Sequence, residues 1–199
     1  MRLSNLSNLV VLTALLVPGA AFGASDIRLG LGGGFDVNGI STTPSLNSSS
    51  RTGILLGATL EFPLSAGFCF VPGLGYVQKG YAVGTFYQTA HYLDFPLLLK
   101  FRMPVTPELT FDGVAGPDLG IEVGTYWSNL LGGVFYNTLD LALNVGIGVE
   151  YELADQMRPF VQVSYSLGLL NVVDNSDGDS GITGTNHGLQ ILMGVNFPL

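Results

Sequence analysis

The sequence predicts an all-β fold, an eight-stranded antiparallel up-and-down transmembrane β-barrel preceded by a cleaved signal peptide. Three observations predict it. Apolar residues recur at every second position in eight separate segments. Every charge within those segments falls on the opposite parity, and connections between segments alternate between long and short.

The N-terminus comes first. Arg2 supplies a thin positive region, Leu9 to Val17 a short apolar run, and Pro18-Gly19 a break before Ala21-Phe22-Gly23. That pattern is a secretory signal peptide cut after Gly23, so residues 1–23 form the leader and 24–199 the mature barrel domain. After it, no run of about eighteen uncharged apolar residues occurs, which argues against a helical membrane span. Yet 47% of the chain is hydrophobic and only 11% charged, with a mean hydropathy of +0.44. Glycine is abundant at 28 residues. Apolar material is therefore spread through strands and turns.

Strands are expected at 27–37, 53–62, 67–80, 91–102, 109–123, 139–152, 157–170 and 187–197. The first sets Ile27, Leu29, Leu31, Phe35 and Val37 against Arg28, three glycines and Asp36. The second and third put Gly57, Glu61, Gly73, Gly75 and Lys79 on the polar parity, with Phe62 and Phe68 on the other. In the fourth, Leu93, Phe95, Leu97, Leu99 and Phe101 oppose Tyr92, Asp94, Pro96, Leu98, Lys100 and Arg102. The fifth places Asp112, Gly116, Asp118, Gly120 and Glu122 opposite Phe111. The sixth is the longest clean alternation, Leu139, Leu141, Leu143, Val145, Ile147, Val149 and Tyr151 against Asp140, Asn144, Glu150 and Glu152. The seventh carries Arg158 and Gly168 on its polar side, and the eighth sets Leu189, Ile191, Met193, Val195 and Phe197 against Gln190, Leu192, Gly194 and Asn196.

Fourteen charged residues lie in these strands, and all fourteen are on the polar, small-residue parity. A soluble barrel would have to crowd the large residues into its interior. A narrow membrane barrel puts the small and charged ones inside and the large ones against lipid. The gaps of 15, 4, 10, 6, 15, 4 and 16 residues alternate as periplasmic turns and outer loops should. An even strand number then places both termini on the periplasmic side, where Phe62, Phe68, Phe101, Phe111, Tyr151 and Phe197 form an interfacial girdle.

"PGLGYVQKGY" (72–81), "YLDFPLLLKFR" (92–102), "GVAGPDLG" (113–120), "VGIGVEYEL" (145–153) and "VSYSLGLLNV" (163–172) together resemble the PorT-like outer-membrane β-barrel family of Gram-negative bacteria. The resemblance spans nearly all of the mature chain. It implies residence in the bacterial outer membrane, contact with outer-membrane lipid and lipopolysaccharide, and passage through the barrel assembly machinery. It implies no activity. The chain departs from such barrels in ending Phe197-Pro198-Leu199 rather than on an aromatic residue.

No catalytic, cofactor-binding or metal residue is nominated, and the protein is read as non-enzymatic. His91 has the outward parity, but its neighbour two positions on is Leu93 rather than a serine; His187 opens the last strand. The single cysteine, Cys69, is read as a small buried side chain. The mature chain, with 6 basic and 15 acidic residues, is a poor nucleic-acid ligand. The inward charges suggest a structural ion-pair network near the periplasmic end, in which Arg28, Lys100, Arg102 and Arg158 meet Glu61, Asp112, Glu150 and Glu152. The alternative reading of the same charges is an ion path. Nearer the outside, Asp36, Asp94, Asp118, Glu122 and Asp140 stand in excess over Lys79. The outer segment 171–186 holds Asp174, Asp177 and Asp179 beside glycines, matching no full calcium-loop pattern. The apolar segment 124–138, with Tyr126, Trp127, Leu130, Leu131, Val134, Phe135 and Tyr136, either dips into lipid headgroups or offers a contact patch to a protein partner.

Overall fold

In the computed structural model, residues 27–45, 47–127, 135–153, 156–174 and 181–199 are described. The expected leader at 1–23, residues 128–134 of the apolar segment and the acids Asp177 and Asp179 lie outside the described residues. Eight long strands make the wall: β1 (Arg28–Thr43), β2 (Ser49–Ser65), β3 (Phe68–Val83), β4 (Phe86–Pro104), β5 (Leu109–Trp127), β7 (Leu139–Tyr151), β8 (Arg158–Gly168) and β10 (Thr183–Pro198). Two short strands, β6 (Phe135–Tyr136) and β9 (Val173–Asp174), pair with each other outside the wall ladder. The eight wall strands run antiparallel to their neighbours and form a closed barrel in the order β1-β10-β8-β7-β5-β4-β3-β2. β1 closes on β10 from Arg28↔Pro198 to Thr43↔Thr183, so the start of β1 and the end of β10 meet at one rim, the terminal end. No helix among the described residues is long and apolar enough to cross a membrane.

The two faces of the wall invert the arrangement of a soluble protein. Leu74, Leu99 and Val145 are just over half exposed and Ile147 is 72% exposed, while Asp36, Asp140 and Glu150 are at most 1% exposed. Nine of the fourteen inward charges are buried and none of the rest is fully exposed. Around the terminal end, Phe68 and Phe101 touch with ring centroids 4.9 Å apart, and Phe111 and Tyr151 are also exposed.

Several strands extend further toward the loop end than the sequence pattern indicated. A crossing takes about 9–11 residues, whereas β4 and β5 have 19 each. The expected ten-residue connection at 81–90 is instead continuous ladder, from Lys79↔Ala90 to Val83↔Phe86, closed by Gly84-Thr85 with Gly84 at φ +60°. Glycine takes that left-handed conformation without the Cβ penalty. The first connection likewise shrinks to 44–48. Beyond the lipid a ladder has water on its outer face, so alternation fades while backbone pairing persists. The connection lengths consequently do not alternate strictly. In the other direction, β8 stops at Gly168 rather than 170.

Inside, the barrel is layered. Ile40, Tyr81, Val172 and Val173 form an apolar cluster at the loop end, with Val83 and Ile182 against it. Val172 donates to the Gly184 carbonyl (2.8 Å) and accepts from the Asn137 amide (2.8 Å), so the segment after β8 is stitched across the mouth. Asn171 adds to this through its Oδ1, which accepts from the Val173 and Gly184 amides at 3.2 and 2.7 Å. Deeper, Cys69, Val71, Leu98 and Val114 make a second apolar cluster. Burial of Cys69 agrees with its reading as a small core side chain.

The exposed wall yields a direct check. Val145→Arg, mid-strand on the outer face, is expected to cost about 2–4 kcal/mol of folding stability in phospholipid bilayers, measured by urea unfolding in vesicles. A change under about 0.5 kcal/mol, the ordinary result for an exposed soluble surface, would mean that Val145 does not face lipid.

Candidate functional site: the charged lumen and the outer rim

Strand alternation sends every second residue inward, and barrel stagger decides which of them meet. Near the terminal end, Lys100 on β4 lies between Glu61 on β2 and Glu150 on β7, its Nζ donating to Glu61 and, at 2.8 Å, to Glu150. Arg102 donates to the other oxygen of Glu150 at 3.0 Å, and Asn196 on β10 donates to Glu150 at 3.1 Å. Arg158 and Glu152 form a separate pair at the rim, Nε to Oε2 2.7 Å. Two of the nominated residues stand apart from these pairs. Arg28 donates to the Gln156 carbonyl at 2.6 Å, although it sits opposite Glu61 in the ladder. Asp112 faces Arg102 across β4 and β5 but takes part in no ion pair among the described residues, and its Oδ1 is buried without a hydrogen-bond partner there.

A second charged layer lies above the middle of the barrel. Lys79 on β3 donates to Asp140 on β7 at 3.1 Å and lies 3.5 Å from Asp94 on β4. Its ammonium also sits 4.8 Å from the centre of the Tyr92 ring, a cation–π contact. Asn186 donates to Asp140 and Asn144 donates to Asp118, each at 2.9 Å. Asn144, Asn186 and Asn196 were not nominated from sequence. Their signal was visible in principle, since all three have the inward parity of the charges. Between the two layers is a cavity of about 90 Å³, reached by Asp94, Asp118 and Asn144 from above and by Lys100 and Asn196 from below.

The outer face near the loop end carries two polar clusters. Between Ser50 and Leu55 the β2–β3 register shifts by one residue, a β-bulge. The Ile54 amide there donates to Gln78 Oε1 at 3.3 Å, and Gln78 Nε2 donates to the Tyr76 hydroxyl at 3.1 Å. That hydroxyl lies 2.5 Å from His91 Nδ1. His91 is thereby tied to the polar wiring of a bulge. His187 pairs differently: its Nδ1 is 3.3 Å from Ser41 Oγ on the neighbouring β1. This serine–histidine contact was invisible to a search of residues near His91, because the two strands meet only on closure. Among the described residues no three His, Cys, Asp or Glu side chains are grouped to hold a metal.

Residues 19–174 match the family model described as outer membrane protein beta-barrel domain. The chain belongs to that family. It is accordingly an outer-membrane protein, and the inverted wall is the physical counterpart of that location. No curated protein matches the sequence. Among solved structures, Ail, the attachment invasion locus protein of Yersinia pestis, is 13% identical, with 86% of this chain and 99% of that one covered at a TM-score of 0.46. The outer membrane enzyme PagL is 13% identical, with 86% and 99% covered and a TM-score of 0.48. OprG from Pseudomonas aeruginosa is 11% identical, with 86% and 95% covered and a TM-score of 0.48.

The lumen geometry ranks the charges by consequence. Lys100→Met leaves Glu61 and Glu150 facing each other inside the barrel and is expected to cost about 3–5 kcal/mol. Arg158→Met, whose partner Glu152 is one-third exposed, should cost about 1 kcal/mol or less. Unfolding in detergent, followed by heat-dependent mobility on gels, checks both. Equal effects would contradict the assignment of Lys100 to the lumen centre.

Proposed function

We propose that the protein is a non-enzymatic outer-membrane scaffold with a plugged lumen, acting through the surface it displays outside the cell, and that within its family it is a PorT-like barrel. The leader at 1–23 is removed on export, and the terminal end, with both termini, faces the periplasm. The four connections at the loop end then face outward, surrounded by lipopolysaccharide, and the barrel reaches the membrane through the assembly machinery. The apolar segment 124–138 is the part of that surface suited to a protein partner.

The observation that carries this reading is the double obstruction of the lumen. The Val172-Val173 segment packs on Ile40 and Tyr81 across the outer mouth. Beneath it the Lys79 and Lys100 clusters link opposite sides of a narrow barrel. A hydrated ion would have to displace both the apolar cap and paired charges.

The Ser41–His187 contact favours a second reading, a hydrolase acting on membrane lipid. A serine nucleophile needs its histidine oriented by a third group, and the partner found for His187 among the described residues is Ser41 alone. The scaffold reading is therefore preferred.

In planar bilayers the purified protein is expected to show no steady conductance. A reproducible conductance whose cation selectivity changes with Lys79→Met would replace the scaffold by a pore. Mass spectrometry of outer-membrane lipids, with and without the protein, is expected to show no change. Loss of an acyl chain that Ser41→Ala abolishes would establish the hydrolase.

A further inference from the structure

Three prolines interrupt the wall, and they do so in adjacent strands. Proline has no N–H to give to a ladder, so within sheets it is confined essentially to edges, strand starts and bulges. A closed barrel has no edge, yet Pro72, Pro96 and Pro117 lie inside β3, β4 and β5. The β2–β3 ladder reaches Thr59↔Gly73 and resumes at Phe62↔Phe70, which sets Leu60 opposite Pro72. Between β3 and β4 it breaks from Pro72↔Leu97 to Gly75↔Asp94, setting Gly73 opposite Pro96. Between β4 and β5 it breaks from Pro96↔Asp118 to Leu99↔Ala115, setting Leu97 opposite Pro117. The carbonyls of Leu60, Gly73 and Leu97 each lose their ladder donor, along one continuous seam. Lipid supplies no substitute donor, so the seam is a local weakness in the wall. Local costs of this kind concentrate where function uses them.

The seam separates two apolar hollows. On the lipid side, a groove is lined by Leu29, Ala58, Leu60, Pro72 and Leu74, all of the outward parity. On the lumen side lies the cavity of about 90 Å³ between the charged layers. Ala58, Thr59 and Leu74 line both, so a single thickness of backbone divides them. Gly57 and Gly75 line the cavity without adding a side chain to it. Away from its charged ends the cavity is walled by Val71, Leu98, Val114 and Leu192. Access along the barrel axis is blocked by the Val172-Val173 cap on one side and the Lys100 cluster on the other. A route through the wall remains, and outside it lies the hydrocarbon of the outer membrane. A dry cavity of about 150 Å³ accepts benzene. This one is smaller and fits the slim end of a saturated chain.

We infer that an acyl chain of a surrounding lipid passes its tip through the wall at the proline seam, between β2, β3 and β4, and lodges in the lumen cavity. This goes beyond the scaffold reading. It gives the lumen a ligand while leaving the axial plug intact, so it requires no conductance.

The test folds the full chain into phosphatidylcholine vesicles in which part of the lipid carries a diazirine at the end of one acyl chain. After irradiation and digestion, mass spectrometry locates the label. It is expected on lumen-facing Val71, Leu98 or Val114 as well as on outward Leu74 and Leu99. Gly57→Leu fills the cavity from a position with room for it, since a Cβ there would lie 3.6 Å from its nearest neighbour, the Leu74 carbonyl oxygen. That variant should lose the lumen label and keep the outward label. Pro72→Val combined with Pro96→Val returns two donors to the seam and should do the same with the cavity left in place. Gel mobility before and after heating verifies folding, and either variant serves if the other does not fold. Wild-type protein labelled only on outward residues overturns the inference. So does lumen label that persists in either folded variant, because chains would then enter elsewhere. Steady conductance alongside seam-dependent lumen label would sink the scaffold and still support the lipid site.

Discussion

Hydrocarbon offers no hydrogen bonds, and the rest of this structure follows from that constraint. A sheet in lipid cannot end in a free edge, so β1 must find β10, and it does so along its whole length from Arg28 to Thr43. Closure then divides the residues into two populations with no intermediate. Side chains on one parity meet lipid and must be apolar. Those on the other meet one another across a narrow lumen, where they must pack or pair. The chain answers with leucines, valines and phenylalanines outside and with glycines, carboxylates and lysines inside.

The lumen is filled in tiers rather than as one polar column. Apolar side chains cap the loop end, charges centred on Lys79 lie below, a cavity follows, and charges centred on Lys100 close the terminal half. Each lysine reaches two carboxylates contributed by different strands, so each ties the wall together through its interior. Removing either would strand carboxylates that have nowhere to turn. The Gln78–Tyr76–His91 chain does comparable work on the outside, supplying the β-bulge at Ile54 with the acceptor its ladder does not provide.

Much of the fold was legible in the sequence because lipid enforces a strict period of two. Residues 139–152 display it without interruption, and the strand number and the inward parity of all fourteen charges follow from it. The outer strand ends were not legible. Residues such as Thr42, Thr43, Ser49 and Ser50 pair in a ladder that water bathes, which leaves no hydrophobic alternation to read. At the terminal end, parity and height brought Lys100, Arg102, Arg158, Glu61, Glu150 and Glu152 into one neighbourhood. The choice of partner depends on stagger between strands, which is a property of the closed barrel. Hence Arg28 turns to a backbone carbonyl and Asp112 stays outside the ion pairs. The cap escaped notice for a related reason: Ile40, Val172 and Val173 lie in stretches that read as loop, and only the return of the chain over the mouth makes them core.

Site-directed spin labelling along β7 tests the central claim most directly. In a background with Cys69→Ser, single cysteines placed at 141 through 145 would be labelled in lipid vesicles and probed for collision with oxygen, which concentrates in hydrocarbon. Labels at Leu141, Leu143 and Val145 should collide freely, and labels at Ala142 and Asn144 should be shielded, giving a period of two. Equal accessibility along the series, or the opposite alternation, would contradict a barrel that keeps its charges inside and its apolar face toward lipid.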